Sequence, residues 1–285
     1  LYLIPAFIGL IVLTYIPLIA VFGLSFFKRG GTGAPEWNGI NNYIKLFTTD
    51  PYFKESIKVT VYFSLLAVVG SMVYSLIVAM LLNRKIPARG FFRAAFYLPY
   101  VLPAAAVYIG WSWLYNTEWG LFNYILSKLG IERLMFVSSS SQVVPSLALI
   151  AVWLSGNLIV IFLAGLQNVP RVYHEAAEID GANAWQRFWH VTFPSMTPII
   201  FYNMLMSLIT NMQVVTPALA LTKGGPGKSS YFMSYMLYNY AFKQRGKIGL
   251  ACAIAFVLFL LIGAFTLLLF ATSKSWIFYE GGDDK

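Results

Sequence analysis

Between two long apolar runs of this chain lies a polar island: Glu175-Ala176-Ala177-Glu178-Ile179-Asp180-Gly181, then Asn183, Gln186 and Arg187, with four aromatics, Trp185, Phe188, Trp189 and Phe193, ahead of Pro194. Glu175, Glu178 and Ile179 are three and four residues apart, the spacing that brings side chains to one helix face, and the small Ala176 lies beside them. An acidic ridge flanked by small residues can enter a groove on another protein and meet an arginine, where a charge-assisted pair is strong. The chemistry of the island is docking rather than bond making. The alternative is a connector whose charges face water, but four aromatics need burial, and contact with helix ends or a partner accounts for them better.

The elements that must position these residues are short helices. Pro170 suits a first helical turn because its missing N–H would be unpaired there anyway, and the strong formers Ala176 and Ala177 carry helix from Arg171 to Ile179. Gly181 can take the left-handed conformation that ends a helix. Asn183 is an N-cap for a second helix, Ala184 to Trp189, which Pro194 is expected to stop. The expectation is a bent pair of helices outside the bilayer.

A bilayer enters through composition. The chain is 59% hydrophobic and only 11% charged, far from soluble usage of about 25% charged residues, so it is a membrane protein. Apolar stretches of roughly 20 residues cross the hydrocarbon as helix, and six are expected near residues 1–27, 56–82, 95–115, 143–166, 196–219 and 248–271. Open sheets cannot satisfy their backbone in lipid, and the alternating ten-residue pattern of barrel strands is missing. The fold class is all-α, in a single membrane domain over residues 1–285 with the island in a loop at 167–195. Residues 1–27 are too long and too broken by Pro5 and Pro17 for an ordinary signal peptide, and are read as a retained span.

Basic loops orient such a chain. Arg84, Lys85, Arg89 and Arg93, with no acidic residue among them, place the stretch between the second and third spans in the cytoplasm. Counting spans from there puts the 167–195 loop and both termini inside as well. Lys28, Arg29, Lys45 and Lys54, and Lys223, Lys228, Lys243, Arg245 and Lys247, then fall outside, so the charge pattern is mixed.

Several chemistries have no residues to carry them. Cys252 is the sole cysteine, so neither a disulfide within the chain nor a Cys/His metal cluster is available. There is no Gly-x4-Gly-Lys-Ser/Thr loop to cradle phosphates, and His174 and His190 both fall in the island without a nucleophile. No catalytic residue, no metal, no cofactor on the chain and no nucleic-acid partner are expected. An ion-coupled secondary transporter would use charged residues inside its spans; Glu55, Glu118 and Asp180 lie at ends or in loops. A receptor-like membrane protein would not need a docking loop.

Glu175-Ala176-Ala177, followed by Asp180-Gly181-Ala182, Phe188 and Pro194, resembles the EAA motif of the membrane subunits of bacterial ABC importers. Arg93 to Pro103 with Trp111 and Gly120, Leu221-Thr-Lys-Gly-Gly-Pro226, and Tyr240-Ala-Phe242 with Gly249 are similar to the sugar branch of those permeases, the maltose and glycerol-phosphate group. The resemblance covers essentially the whole chain and implies a type I importer permease fold. It implies that Glu175, Ala176, Ala177, Glu178, Asp180 and Gly181 couple to a cytoplasmic ATPase dimer, which holds ATP and Mg, with Glu175 meeting an arginine and Gly181 making the bend. It further implies a second, non-identical permease, an extracytoplasmic solute-binding protein and residence in the bacterial inner membrane.

Polar residues inside spans are costly unless they face a bundle or a wet cavity. Trp153 and Asn157 in the fourth span are expected one turn apart on one face, and Ser207, Thr210 and Asn211 lie in the fifth, Ser207 and Asn211 sharing a face. An aromatic to stack on a sugar ring and amides to bind hydroxyls suit a saccharide path; the alternative is hydrogen bonding between helices. Ser207 and Asn211 match, by their offsets from the motif, polar sugar contacts of the maltose-type subunit, whereas the fourth span departs from that pattern. The outer loops 28–55 and 219–247 are expected to form the binding protein's platform, with Trp37 and Tyr43 as anchors. Five Lys or Arg and no acid in the last outer loop could attract an acidic binding protein or an anionic sugar, leaving neutral oligosaccharides, sugar phosphates and uronic-acid oligomers such as alginate all open.

Overall fold

Apolar runs of this length can satisfy their backbone in a bilayer only as helix, and helix is what they form in the computed structural model, which describes residues 2–28, 34–244 and 246–278. Arg29, Arg245 and both chain ends, whose sides of the membrane were read from the sequence, lie outside the described residues. Among the described residues the strands are those of a two-residue antiparallel ribbon, β1 (Phe27–Lys28) and β2 (Glu36–Trp37), in which Phe27 faces Trp37 and Lys28 faces Glu36.

The first run is α1 (Ile4–Leu10), a π-turn over Ile11–Tyr15, and α2 (Ile16–Leu24), together a continuous rod of 21 residues. A proline ring clashes with the carbonyl four residues back, and for Pro17 that carbonyl belongs to Leu13, inside the widened turn. After α3 (Asn41–Thr48), α4 (Phe53–Asn83) runs 31 residues. It is started by Asp50, whose Oδ1 accepts from the backbone N–H groups of Tyr52 at 3.0 Å and Phe53 at 3.1 Å. The last run is α14 (Ile248–Ser273). These three helices are long and apolar enough to span a membrane.

The third and fourth runs are broken. α5 (Arg89–Val101) and α6 (Ala104–Leu114) meet at 100°, because Leu102 is held extended (ψ 144°) ahead of Pro103, as a residue preceding proline must be. After α7 (Leu121–Lys128) come α8 (Val143–Trp153) and α9 (Gly156–Asn168), bent by 51°. No proline sits at that joint. Ser155 leaves the helical region (ψ 25°), and its hydroxyl donates back to the Val152 carbonyl at 2.6 Å. Gly156 is required there, since a Cβ would lie 2.6 Å from the Phe96 carbonyl oxygen of α5.

The fifth expected span differs most. After α10 (Arg171–Ile179) and α11 (Ala184–Arg187), α12 is Phe193–Met212, so helix stops well short of residue 219. A π-turn over Ala218–Thr222 follows, then α13 (Met233–Tyr238) and a further π-turn, Asn239–Lys243. α12 is 20 residues long, but it is not among the helices apolar enough to qualify as spans; Ser195, Thr197, Asn203, Ser207, Thr210 and Asn211 lower its hydropathy.

The chain divides into two compact units, Leu1–Val61 with Met212–Ala264, and Tyr62–Asn211 with Phe265–Lys285. In the first unit Leu46, Phe53, Phe232, Met233, Met236, Ala253 and Ile254 are buried. Thr60, itself buried, accepts from the Met233 N–H at 2.9 Å and donates to the Ser56 carbonyl at 2.7 Å, tying α4 to the start of α13. The second unit has its core where α4, α9 and α12 meet, at Val78, Ala79, Leu82, Ile159, Phe162, Leu163, Leu166 and Met196.

Candidate functional site

Local hydrogen bonds build the island into a fixed elbow. α10 ends at Gly181, whose φ of +79° is left-handed; the Ala182 N–H reaches back to the Ala177 carbonyl at 2.9 Å and that of Gly181 to Glu178 at 3.1 Å, the bonding that closes a helix through a left-handed residue. Two residues later a capping box opens α11. Asn183 Oδ1 accepts from the Gln186 N–H, and Gln186 Oε1 from the Asn183 N–H, each at 2.9 Å. Such reciprocal caps satisfy two orphan donors at once.

Pro194 does not stop the second helix, which corrects the sequence expectation. A π-turn over Phe188–Thr192 places the carbonyl that its ring would strike in a widened turn, and α12 continues from it. The same device precedes Pro17. The elbow therefore passes without interruption into α12.

Glu178 forms an ion pair with Arg187 across the bend. Of the two glutamates on the expected ridge, Glu178 is thus engaged within the elbow, while Glu175 is exposed and has no ion pair among the described residues. Val172, Ala176 and Ile179, spaced four and three residues apart, are all exposed, Ile179 by 87%. Ala177, Asp180 and Gly181 instead line a cleft of about 270 Å³ with Gln186, Arg187 and His190.

The aromatics form a ladder rather than a buried cluster. Trp185 and Trp189 are 5.7 Å apart, Phe188 and Trp189 5.1 Å, and Trp189 and Phe193 5.2 Å, yet Trp185 remains 69% exposed. On the flank of the ladder, Trp185, Phe188 and His174 line a recess of about 510 Å³ with Met80, Asn83 and Arg84. Behind the elbow, the Gln167 amide, turned with its oxygen toward α5, accepts from Arg89 at 3.0 Å and from Arg93 at 3.1 Å.

A second feature of this unit is a cavity of about 440 Å³ between α6, the α8–α9 joint and α12. Asn157, Ser207, Thr210 and Asn211 line it, as do Ser71, Tyr100, Tyr108, Ser155, Tyr202 and Asn203. Trp153 does not. The break at Leu154 and Ser155 removes the shared face expected for Trp153 and Asn157, and the Trp153 ring packs edge-on against Trp111 at 5.5 Å. Asn203, Ser207 and Asn211 make an i, i+4, i+8 stripe along α12. One N–H of each asparagine amide is given to the carbonyl four residues back, Asn203 to Ile199 and Asn211 to Ser207, both at 2.8 Å. Asn203 was legible as the next member of that stripe, whereas Tyr100 and Tyr108 come from the two sides of the break between α5 and α6.

Residues 71–275 match the family described as binding-protein-dependent transport system inner membrane component. The chain belongs to this family. It is therefore a multi-pass inner-membrane permease that works with a solute-binding protein, and the family is one of transporters, not enzymes. The permease is 36% identical over 284 residues to the probable ABC transporter permease protein YesP of Bacillus subtilis, covering 98% of this chain and 91% of that one. It is 36% identical to the multiple sugar-binding transport system permease protein MsmF of Streptococcus mutans, over 96% and 94% of the two chains, and 30% identical to the trehalose/maltose transport system permease protein MalF of Thermococcus litoralis, over 93% and 90%. A chain from the crystal structure of a bacterial ABC transporter involved in the import of the acidic polysaccharide alginate superposes with a TM-score of 0.80 at 20% identity, over 96% of this permease and 93% of that chain. The fold is that of an importer permease.

Proposed function

We propose that this permease forms half of the translocation path of an ATP-driven importer for a saccharide, paired with a second, non-identical permease and driven by a separate ATPase dimer that docks on the elbow at 167–195. The observation that carries the saccharide is the Asn203–Ser207–Asn211 stripe facing a cavity that Tyr100, Tyr108 and Tyr202 also line. Amides and hydroxyls bind sugar hydroxyls, and aromatic faces pack on the apolar faces of sugar rings. Relatives named for multiple sugars and for trehalose/maltose support the same class.

Coupling is read from the elbow. Its exposed Val172–Ala176–Ile179 stripe is an apolar ridge beside Glu175, whose carboxylate has no ion pair among the described residues, and an exposed apolar surface of this kind marks a protein contact. Docking there places the elbow, Arg84, Lys85, Arg89 and Arg93 in the cytoplasm, with ATP and Mg held by the partner. α12, bent third and fourth runs included, then completes six spans, its polar stripe turned to the path rather than to lipid.

The test is to purify the tagged chain from its native membrane in mild detergent, identify what accompanies it, and measure ATP hydrolysis with and without the solute-binding protein. An ATPase and a second permease in the preparation, with hydrolysis raised by the binding protein and by no other addition, is the expected result. Recovery of the chain without an ATPase in any detergent would overturn the proposal.

A further inference from the structure

In the first unit a recess of about 530 Å³ is lined by three lysines, Lys28, Lys45 and Lys247, and three asparagines, Asn38, Asn41 and Asn42, with no acidic side chain among the described residues. Neither Lys28 nor Lys45 has an ion pair among the described residues. Glu36 stands opposite Lys28 in the ribbon but does not line the recess. Asp50, the other acid nearby in sequence, is occupied in capping α4 and in accepting from Tyr240. Lys247 is held in place by Gln244 Oε1 at 2.5 Å and lies 4.9 Å over the Tyr240 ring.

Hydrogen bonds within the chain hold the wall of the recess together. The buried Asn42 donates to the carbonyls of Ser25 at 2.7 Å and Phe27 at 3.0 Å, and accepts from Asn38 at 3.1 Å. Its place in the membrane follows from the chain. Lys28 comes four residues after Leu24, where the first apolar rod ends, and Lys247 directly precedes Ile248, where α14 begins. Both therefore stand where a span leaves the hydrocarbon. Beside them Trp37, 70% exposed, stacks on Phe26 at 6.0 Å and meets Phe27 edge-on at 5.2 Å, and tryptophans of this kind sit at the headgroup level.

We propose that this recess binds the phosphate of an anionic phospholipid, the lysines meeting its charge, the asparagine amides its oxygens, and the adjoining apolar rod its acyl chains. Three cations without an acid, at headgroup depth, are what an anionic lipid surface attracts. A free anion would gain nothing from Trp37 or from the apolar helix ends.

The experiment places the importer, purified with the subunits it retains, in nanodiscs of phosphatidylcholine containing a minor fraction of phosphatidylglycerol, and counts the lipids that stay bound by native mass spectrometry. Wild type should retain phosphatidylglycerol in preference to phosphatidylcholine. A Lys28→Gln/Lys45→Gln variant should bind it about 25-fold more weakly, about five-fold for each lysine near the surface, while Lys54→Gln, outside the recess, should match wild type. No preference in the wild type, which requires no variant to fold, would overturn the proposal, as would full retention in the double variant. Displacement of the lipid by millimolar inorganic phosphate would overturn it in favour of a small-anion site.

Discussion

Gly181 turns the elbow, and its φ of +79° is the only demand made on it, since a Cβ there would meet nothing within 4 Å. Gly181→Ala therefore costs conformation alone, about 1–2 kcal/mol for an L-residue held left-handed. The variant should be inserted at wild-type levels yet couple poorly, with uptake falling about ten-fold while ATP hydrolysis persists; unchanged uptake would remove the elbow from coupling. In the cavity, Asn211→Ala should raise the sugar concentration for half-maximal uptake about ten-fold, the loss of one or two hydrogen bonds. Trp153→Ala should leave that concentration unchanged and lower thermal stability instead, because the ring packs on Trp111. Gly181 and the Asn183 cap were readable because each acts within four residues of itself. The engagement of Glu178 by Arg187 was not, since it depends on the angle of the bend; the withdrawal of Trp153 had one signal, the Ser155-Gly156 pair, a dipeptide that marks kinks and turns, which the apolar run around it outweighed.

Among the elements, the N-terminus of α4 and the π-turn Asn239–Lys243 are joined through a single carboxylate. Asp50 caps α4 with one oxygen and accepts the Tyr240 hydroxyl with the other. Burial, and after it the bond to Asp50, raises the Tyr240 pKa above the ordinary 10.0. A folded-state pKa above the unfolded value means the contribution is complete below about pH 10 and is lost as pH climbs toward the folded value. The melting temperature of wild type should accordingly fall above pH 10, and less steeply in Tyr240→Phe; Tyr231, also raised by burial, leaves part of the fall in place. Equal slopes would show that the contact contributes nothing. Element existence was legible from apolar length, since lipid allows little but helix. Element ends were not: Pro17 and Pro194 are absorbed by widened turns, while Pro103 breaks its run, and a proline looks the same in sequence in either case.

At the scale of the whole molecule, the permease exposes its apolar surface rather than enclosing it. None of the hydropathic window of the first rod is buried within the chain, so lipid or another subunit must cover it, and which of the two was beyond reach of one sequence. The division of the chain into two units, each assembled from distant segments, was equally hidden, because hydropathy reports length and not neighbours. The joint between α8 and α9 reaches across this scale. It opens on the cavity through Ser155 and Asn157, and a helix beginning there, at Gly156, leaves its first N–H groups without helical partners. Those amides lie mid-run, beside the cavity, so their protons can exchange only when water fills it. Deuterium uptake at Gly156 and Asn157 should then rise and fall with the transport cycle, making the break a clock for the wetting of the path; uptake as slow as in the middle of α14 in every nucleotide state would show that water never arrives there.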